Sequence, residues 1–396
     1  MKKHLLGVMV IILCITCAVW LRKGCVPELP REGVPPKAGQ AQRHGHVKPM
    51  QQTLFTRYSI EVTNGVIVAD TREKVPPSSP DYESYLLERR RVAENGADAK
   101  VTLHVVDQDG KDVTNADVNI HFSCNGQENK PIKGKTDAKG YFTAADRLTG
   151  EIIYIITKEG YYRTRTVFWL MQRDVRSFEK GRWIPWNPTL QVTFKEERKP
   201  IPMIAKKAKI KIPKKNQPFG FDFEVGDLVE PYGKGKYSDI MLKSFGDKPF
   251  PLTYNYSETL VIQANNSLGG FIRKKKDDWC ALLSDCEAPK KGYIPEFMFS
   301  ANSKEGQPVV EDNLQEDDYM IFRTRVIVNE KGNLISAHYG KIYGRLTHGI
   351  NSNDREGAGA TILYYFNPTP NDRNLEFDGK NNLLKNLDSL EEVYTP

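Results

Sequence analysis

Histidine and cysteine, the residues that most often carry metal or nucleophilic chemistry, are scarce: seven and six in 396 residues. No histidine is followed three residues on by glutamate, and no His-Glu-x-x-His occurs, so the zinc-peptidase ligand sets are missing. A G-x-S-x-G nucleophile elbow is absent, as is the full G-x-x-x-x-G-K-[ST] phosphate loop. Gly233-Lys234-Gly235-Lys236 therefore reads as a β-turn. Charge of one sign is also in short supply. Lys+Arg exceed Asp+Glu by 57 to 50, a net +7, which is mild for a nucleic-acid binder. There is one long hydrophobic run and no fixed-period repeat. No catalytic residue, no metal ligand set and no cofactor is expected.

What is present describes an exported β protein. With 39% apolar and 27% charged residues the composition is that of a globular chain, and its length suggests two domains. Lys2 and Lys3 precede an apolar segment at 5–21, seventeen residues that as a helix rise roughly 25 Å. Thr16-Cys17-Ala18 offers small residues for cleavage after Ala18. Arg22 and Lys23 nearly balance the leading lysines, so orientation is weakly set. Residues 1–21 are a signal peptide or a membrane anchor, and neither Cys17 nor Cys25 sits in a good lipobox. A Pro- and Gly-bearing spacer follows at 22–52. His44 and His46 within it are too few to hold a metal.

Residues 53–97 read as a hairpin and a helix. YSIEVTNGVIVAD (58–70) turns at Asn64-Gly65, a pair that tolerates positive φ. A helix over 80–95 would be capped by Ser79, start at Pro80 and close at Asn95-Gly96. From 98 to 197, short β-rich runs between turns mark a β-sandwich. A second antiparallel β domain spans 205–380. AKIKIPKK begins it and alternates lysine with apolar residues. Lysines there suit an edge strand, where they discourage stray pairing, or alternatively an attraction to anionic envelope polymers. The run 322–344 reads as a hairpin through Glu330-Lys331-Gly332, TILYYFNP (361–368) as a final long strand, and the tail 381–396 as a frayed helix.

Val105 to Lys111, Asn115 to Val118, Thr136 to Phe142, and Ile152 to Thr157 leading into Lys158-Glu159-Gly160-Tyr161 carry a resemblance. Over 100–162 the chain resembles the carboxypeptidase regulatory-like domain, a transthyretin-like β-sandwich. The resemblance implies a folding aid, spacer or binding module, and it implies no catalytic residues. From about 200 onward the chain is similar to C-terminal halves of uncharacterised exported bacterial proteins with the same front domain. Gly226-Asp227-Leu228-Val229, Pro231 to Lys236 and Tyr364 to Pro368 carry that second likeness, which brings no activity.

Four features remain. Trp183 and Trp186, held between prolines in GRWIPWNP, are the binding candidates: rigid aromatics give contact area at little entropic cost, for a sugar or a peptide. The alternative is that they plug the sandwich. Cys280 and Cys286, six apart, are a disulfide candidate in an oxidising compartment, and Cys124 is a buried small apolar residue. The acidic run Glu311 to Asp318 lacks the spacing of a calcium loop and reads as solvated. His338 and His348 read as structural, with a triad assembled from distant positions left open. The expected fold is mostly β: an N-terminal hydrophobic helix, a transthyretin-like β-sandwich and a second antiparallel β domain. The expected function is a non-enzymatic cell-envelope scaffold or binding protein, with an exported hydrolase of glycans or peptides, sited in the C-terminal domain, as the alternative. Partners are envelope polymers or envelope proteins, plus the membrane through the N-terminal segment, and no nucleic acid.

Overall fold

The computed structural model describes residues 58–125, 130–247, 255–277, 279–350 and 356–396. The hydrophobic segment 5–21, the spacer with His44 and His46, and the cysteines at 14, 17 and 25 lie outside the described residues. Among those described, no helix is long and apolar enough to cross a membrane.

The chain is mostly β. In the first half β1 (Ile60–Thr63), β2 (Val66–Asp70), helix α1 (Tyr82–Asn95), β3 (Ala97–Asp107), β4 (Asp117–Phe122), β5 (Ile132–Lys135) and β6 (Tyr141–Leu148) follow in order. Then come β7 (Glu151–Thr157), β8 (Thr164–Trp169), β9 (Phe178–Glu179), β10 (Arg182–Trp183) and β11 (Thr189–Phe194). One sheet runs β2-β1-β11-β3-β10-β9, with β6 also on β3, and a second runs β5-β4-β7-β8. Alternation along β3 and β7 turns Val101, Leu103 and Val105 toward Ile152, Tyr154 and Ile156, and these close a shared core.

The second half holds β12 (Ile201–Ile212), β13 (Pro218–Asp222), β14 (Asp227–Leu228), β15 (Ile240–Asp247), β16 (Tyr256–Ala264) and β17 (Gly270–Lys275). It ends with β18 (Glu296–Ser303), β19 (Val310–Asp312), β20 (Asp318–Val328), β21 (Leu334–Ile350), β22 (Ala358–Asn367) and β23 (Phe377–Asn382). The third sheet, β17-β20-β21-β22-β12-β23, faces the fourth, β14-β13-β15-β16-β18-β19, across a core that includes Ile210, Phe322, Ile362, Leu242 and Leu260. Part of the third sheet's other face is covered too. There Tyr343 and Tyr365 pack with Ala288, Phe377 and Val393, which come from the 276–295 connection, β23 and the tail.

Local chemistry explains the best-predicted pieces. Asn64 (φ 48) and Gly65 (φ 82) both take the positive φ that a two-residue hairpin needs. Gly65 is also pressed against β8, because a Cβ there would lie 2.4 Å from the Thr166 methyl. Gly96 (φ 69) closes α1 and donates its N–H to the Val92 carbonyl. The β20–β21 hairpin turns at Gly332 (φ 77), with Asn329 Oδ1 accepting the amides of Lys331 and Asn333.

Several expectations are corrected. The helix starts at Tyr82, two residues late, because Ser79 bonds the Asp81 amide and its carbonyl takes the Tyr82 N–H in a turn. The hairpin and helix pack onto the sandwich: β1 joins β11, and Tyr85 and Val92 enter its core. TILYYFNP forms most of β22, the final long strand, and the shorter β23 that follows pairs with β12. The tail is no helix. It runs back along β12, Glu391 accepting the Lys207 amide and pairing with Lys206. The acidic run is exposed as expected at Glu311, Asp312, Glu316 and Asp317, with surface ion pairs to Arg345, Arg273 and Lys275, and the exception is Asp318, which is buried and paired with both Arg273 and Lys275.

Candidate functional site

The two tryptophans part company. Trp183 ends β10 and points into the first core, 1% exposed, with its indole N–H donated to the Leu148 carbonyl at 2.9 Å and its face meeting the edge of Phe178. It is a core side chain, which corrects its candidacy as a ligand contact. Ile184 and Pro185 are buried behind it, and the chain surfaces only at Trp186, half-buried with the Arg182 guanidinium 5.0 Å from its ring centroid.

Trp186 lines a surface groove of about 520 Å³ together with Tyr58, Glu61, His104, Asn187 and Gln191. Strands β1, β11 and β3 supply most of the floor. His104 is fixed from two sides, stacked on Tyr141 at 4.3 Å and with Nε2 2.9 Å from the Asp112 carboxylate. Asn187 is held by the Thr102 hydroxyl, which donates to its Oδ1 at 2.9 Å. Ser59, the hydroxyl in the groove nearest its start, pairs with Thr71 and not with a histidine. An aromatic plate, a carboxylate and amide groups on a rigid sheet can hold a polar ring or an extended peptide. They do not assemble acid–base or nucleophilic chemistry.

The second half does bring hydroxyls to bases, across distances the sequence hides. Ser244 Oγ lies 2.9 Å from His348 Nε2, 104 residues away. Lys341 Nζ donates to Ser284 Oγ at 3.0 Å, and burial holds its amine well below the usual lysine range. Either pair meets the distance a nucleophile and its base require. Access fails in both: Ser244, Ser284 and Lys341 are each 0% exposed. His338 donates its Nε2–H to the Pro368 carbonyl, stacks on Phe366, and is kept below the ordinary histidine value by burial and then by Arg325. It is a neutral packing residue.

The other candidates resolve structurally. Cys280 and Cys286 are free and buried, so the expected disulfide is not formed. Cys280 is tied instead into a bridge with Thr164, and Cys286 Sγ takes the Gln108 amide at 3.9 Å. Burial pushes the Cys280 thiol up to about 11, leaving it an unreactive thiol. The amides of the Gly233 to Lys236 loop are spent on the protein's own carboxylates: Lys234 N–H on Asp227, and Lys236 and Tyr237 N–H on Asp222. Asp222 and Asp239, almost wholly buried, are neutralised by Arg325, which a β-bulge at positive φ (48) aims between them. No cluster of three metal-ligating side chains occurs among the described residues.

No family model and no curated protein matches the chain. Among solved structures, 3-chlorocatechol 1,2-dioxygenase from Rhodococcus opacus 1CP aligns at 16% identity and TM-score 0.21, over 26% of this chain and 61% of that one. This chain thus spans about three fifths of that dioxygenase's length. BcpA, the major pilin subunit of Bacillus cereus, aligns at 13% identity and TM-score 0.19 over 68% and 85% of the two chains. The shaft pilin SpaA of Lactobacillus rhamnosus GG gives 13%, 0.18, 44% and 90%. Likenesses this slight carry no functional argument.

Proposed function

We propose that the protein is a non-enzymatic scaffold or binding protein of the cell envelope, exported through its 5–21 segment and presenting β-sandwich surfaces to envelope polymers or proteins. One observation carries this reading: the best-furnished open groove, at Trp186, is built for contact, while the serine hydroxyls of the second half's hydroxyl–base pairs are buried. The first sandwich, resembling a carboxypeptidase regulatory-like domain over 100–162, serves as a spacer and binding module. Its ligand is a chain of sugar units lying across Trp186 with hydroxyls toward Glu61 and Gln191.

The test is retention of the purified protein on peptidoglycan and a panel of envelope polysaccharides beside Trp186→Ala. Retention lost in the variant supports the groove. Equal retention removes Trp186 from the site, and no retention on any polymer ends the glycan reading. The rival, a hydrolase sited in the second half, draws on the 2.9 Å approach of Ser244 to His348. Turnover of acyl or glycosyl ester substrates that vanishes in Ser244→Ala would favour it.

A further inference from the structure

The third sheet is covered on one face by the fourth sheet but only half covered on the other. The 276–295 connection, β23 and the tail screen the end around Met203, Tyr343 and Tyr365. Toward Ile212 and Ile350 that cover stops. On β12, Ala208, Ile210 and Ile212 point into the core, so Lys207, Lys209 and Lys211 point out and are exposed. Cross-strand register sets Lys209 beside Thr361, and Thr361 beside Thr347, while Lys211 sits beside Gly359. Together these residues line an open groove of about 630 Å³.

The chemistry of this groove differs from that of the Trp186 groove. Among the described residues, no carboxylate lies within ion-pair distance of Lys207, Lys209 or Lys211; the acid whose field Lys209 most clearly shares is Asp388 in the tail. Its floor is Gly359, Thr361 and Thr347, with no Trp, Tyr or Phe among the lining residues, and the imidazole of His348, which also lines it, is turned to Ser244 Oγ at 2.9 Å. A base or a pyranose would find no Trp, Tyr or Phe plate to stack on. At Gly359 a Cβ would meet nothing within 4 Å, so a chain can lie close over the backbone there. Lysines at alternate strand positions stand roughly 7 Å apart, a row of point charges suited to regularly spaced phosphates.

We propose that this face binds a linear, ring-free phosphodiester polymer of the envelope, a polyol phosphate, through Lys207, Lys209 and Lys211 with the Thr347 and Thr361 hydroxyls. The proposal rests on the envelope-binding reading but uses another face, so the two stand or fall separately. Attraction of this kind is mostly counterion release and is steeply salt-dependent.

The experiment measures binding of the full chain, in mild detergent, to immobilised poly(glycerol phosphate), with dextran and duplex DNA as parallel supports and salt as the variable. Lys209→Gln/Lys211→Gln is compared with Lys304→Gln/Lys331→Gln, which removes the same charge from exposed positions elsewhere. The expected result is retention on the polyphosphate alone, weakened about tenfold in the first variant with a shallower salt slope, and unchanged in the second and in Trp186→Ala. Equal weakening by both double variants, no retention, or tighter binding to DNA or dextran would each overturn the proposal.

Discussion

Single residues decide which tryptophan can meet a ligand and which lysine can hold a charge. Trp183 fills core volume and satisfies its own N–H, so Trp183→Ala should cost about 3–5 kcal/mol in urea unfolding, while Trp186→Ala should cost well under that. Lys341 is the more unusual case. Two tyrosine rings, 4.8 and 4.7 Å from its Nζ, favour the ammonium by about 1–2 kcal/mol, less than the several kcal/mol that burying the ion costs. The unfolded chain therefore binds a proton there that the folded chain does not, up to the ordinary value of 10.5. Stability should then rise with pH from neutrality toward the tyrosine range, and Lys341→Met should flatten the rise and stabilise the protein at pH 7. Unfolding midpoints of the two proteins from pH 7 to pH 9 would settle the sign. For Trp183 the structure takes the sandwich-plugging alternative that the sequence offered, while burial at 341 was hidden because it depends on a segment 57 residues away.

At the scale of elements, legibility tracked locality. The Asn64-Gly65 hairpin, the Gly96 helix end and the Gly332 hairpin follow from residues within a turn of one another, and each formed where expected. Gly65→Ala combines a positive φ with a clash on Thr166, and should lower stability by about 2 kcal/mol or more, as read in thermal or urea melts. The lysine-bearing strand formed where expected but not as an edge: β12 lies between β22 and β23, and past β23 the Glu391 carbonyl of the tail takes the Lys207 amide. What stayed hidden were the meetings of distant strands. The Ser244–His348 pair and the Arg325 bridge to Asp222 and Asp239 join residues 104, 103 and 86 positions apart, and no spacing rule reaches that far.

For the whole molecule, the segment 276–295 matters most. It leaves the second sandwich and docks on the first: Arg165 N–H bonds Trp279, Ala281 N–H bonds Arg163, and the Lys195 ammonium reaches the carbonyls of Leu282 and Ser284 and the Asp277 carboxylate. Glu376 adds the Tyr162 hydroxyl and the amides of Arg198 and Lys199. Two cores so stitched should melt as one, giving a single calorimetric transition for the native protein. In Lys195→Ala the carbonyls lose their shared donor, and the transition should broaden or split.

The parallel course of β1 and β11 has a consequence for any pull on the two ends of this sandwich. Val62 and Thr63 register with Leu190 and Gln191, and Asn64 adds bonds to Thr193 from its side chain and to Gln191 from its main chain. Tension entering ahead of Tyr58 and leaving past Phe194 would pull these strands lengthwise past each other, so that their bonds share the load and fail together instead of peeling one by one. That joint is a shear lap, the geometry that resists a pull best.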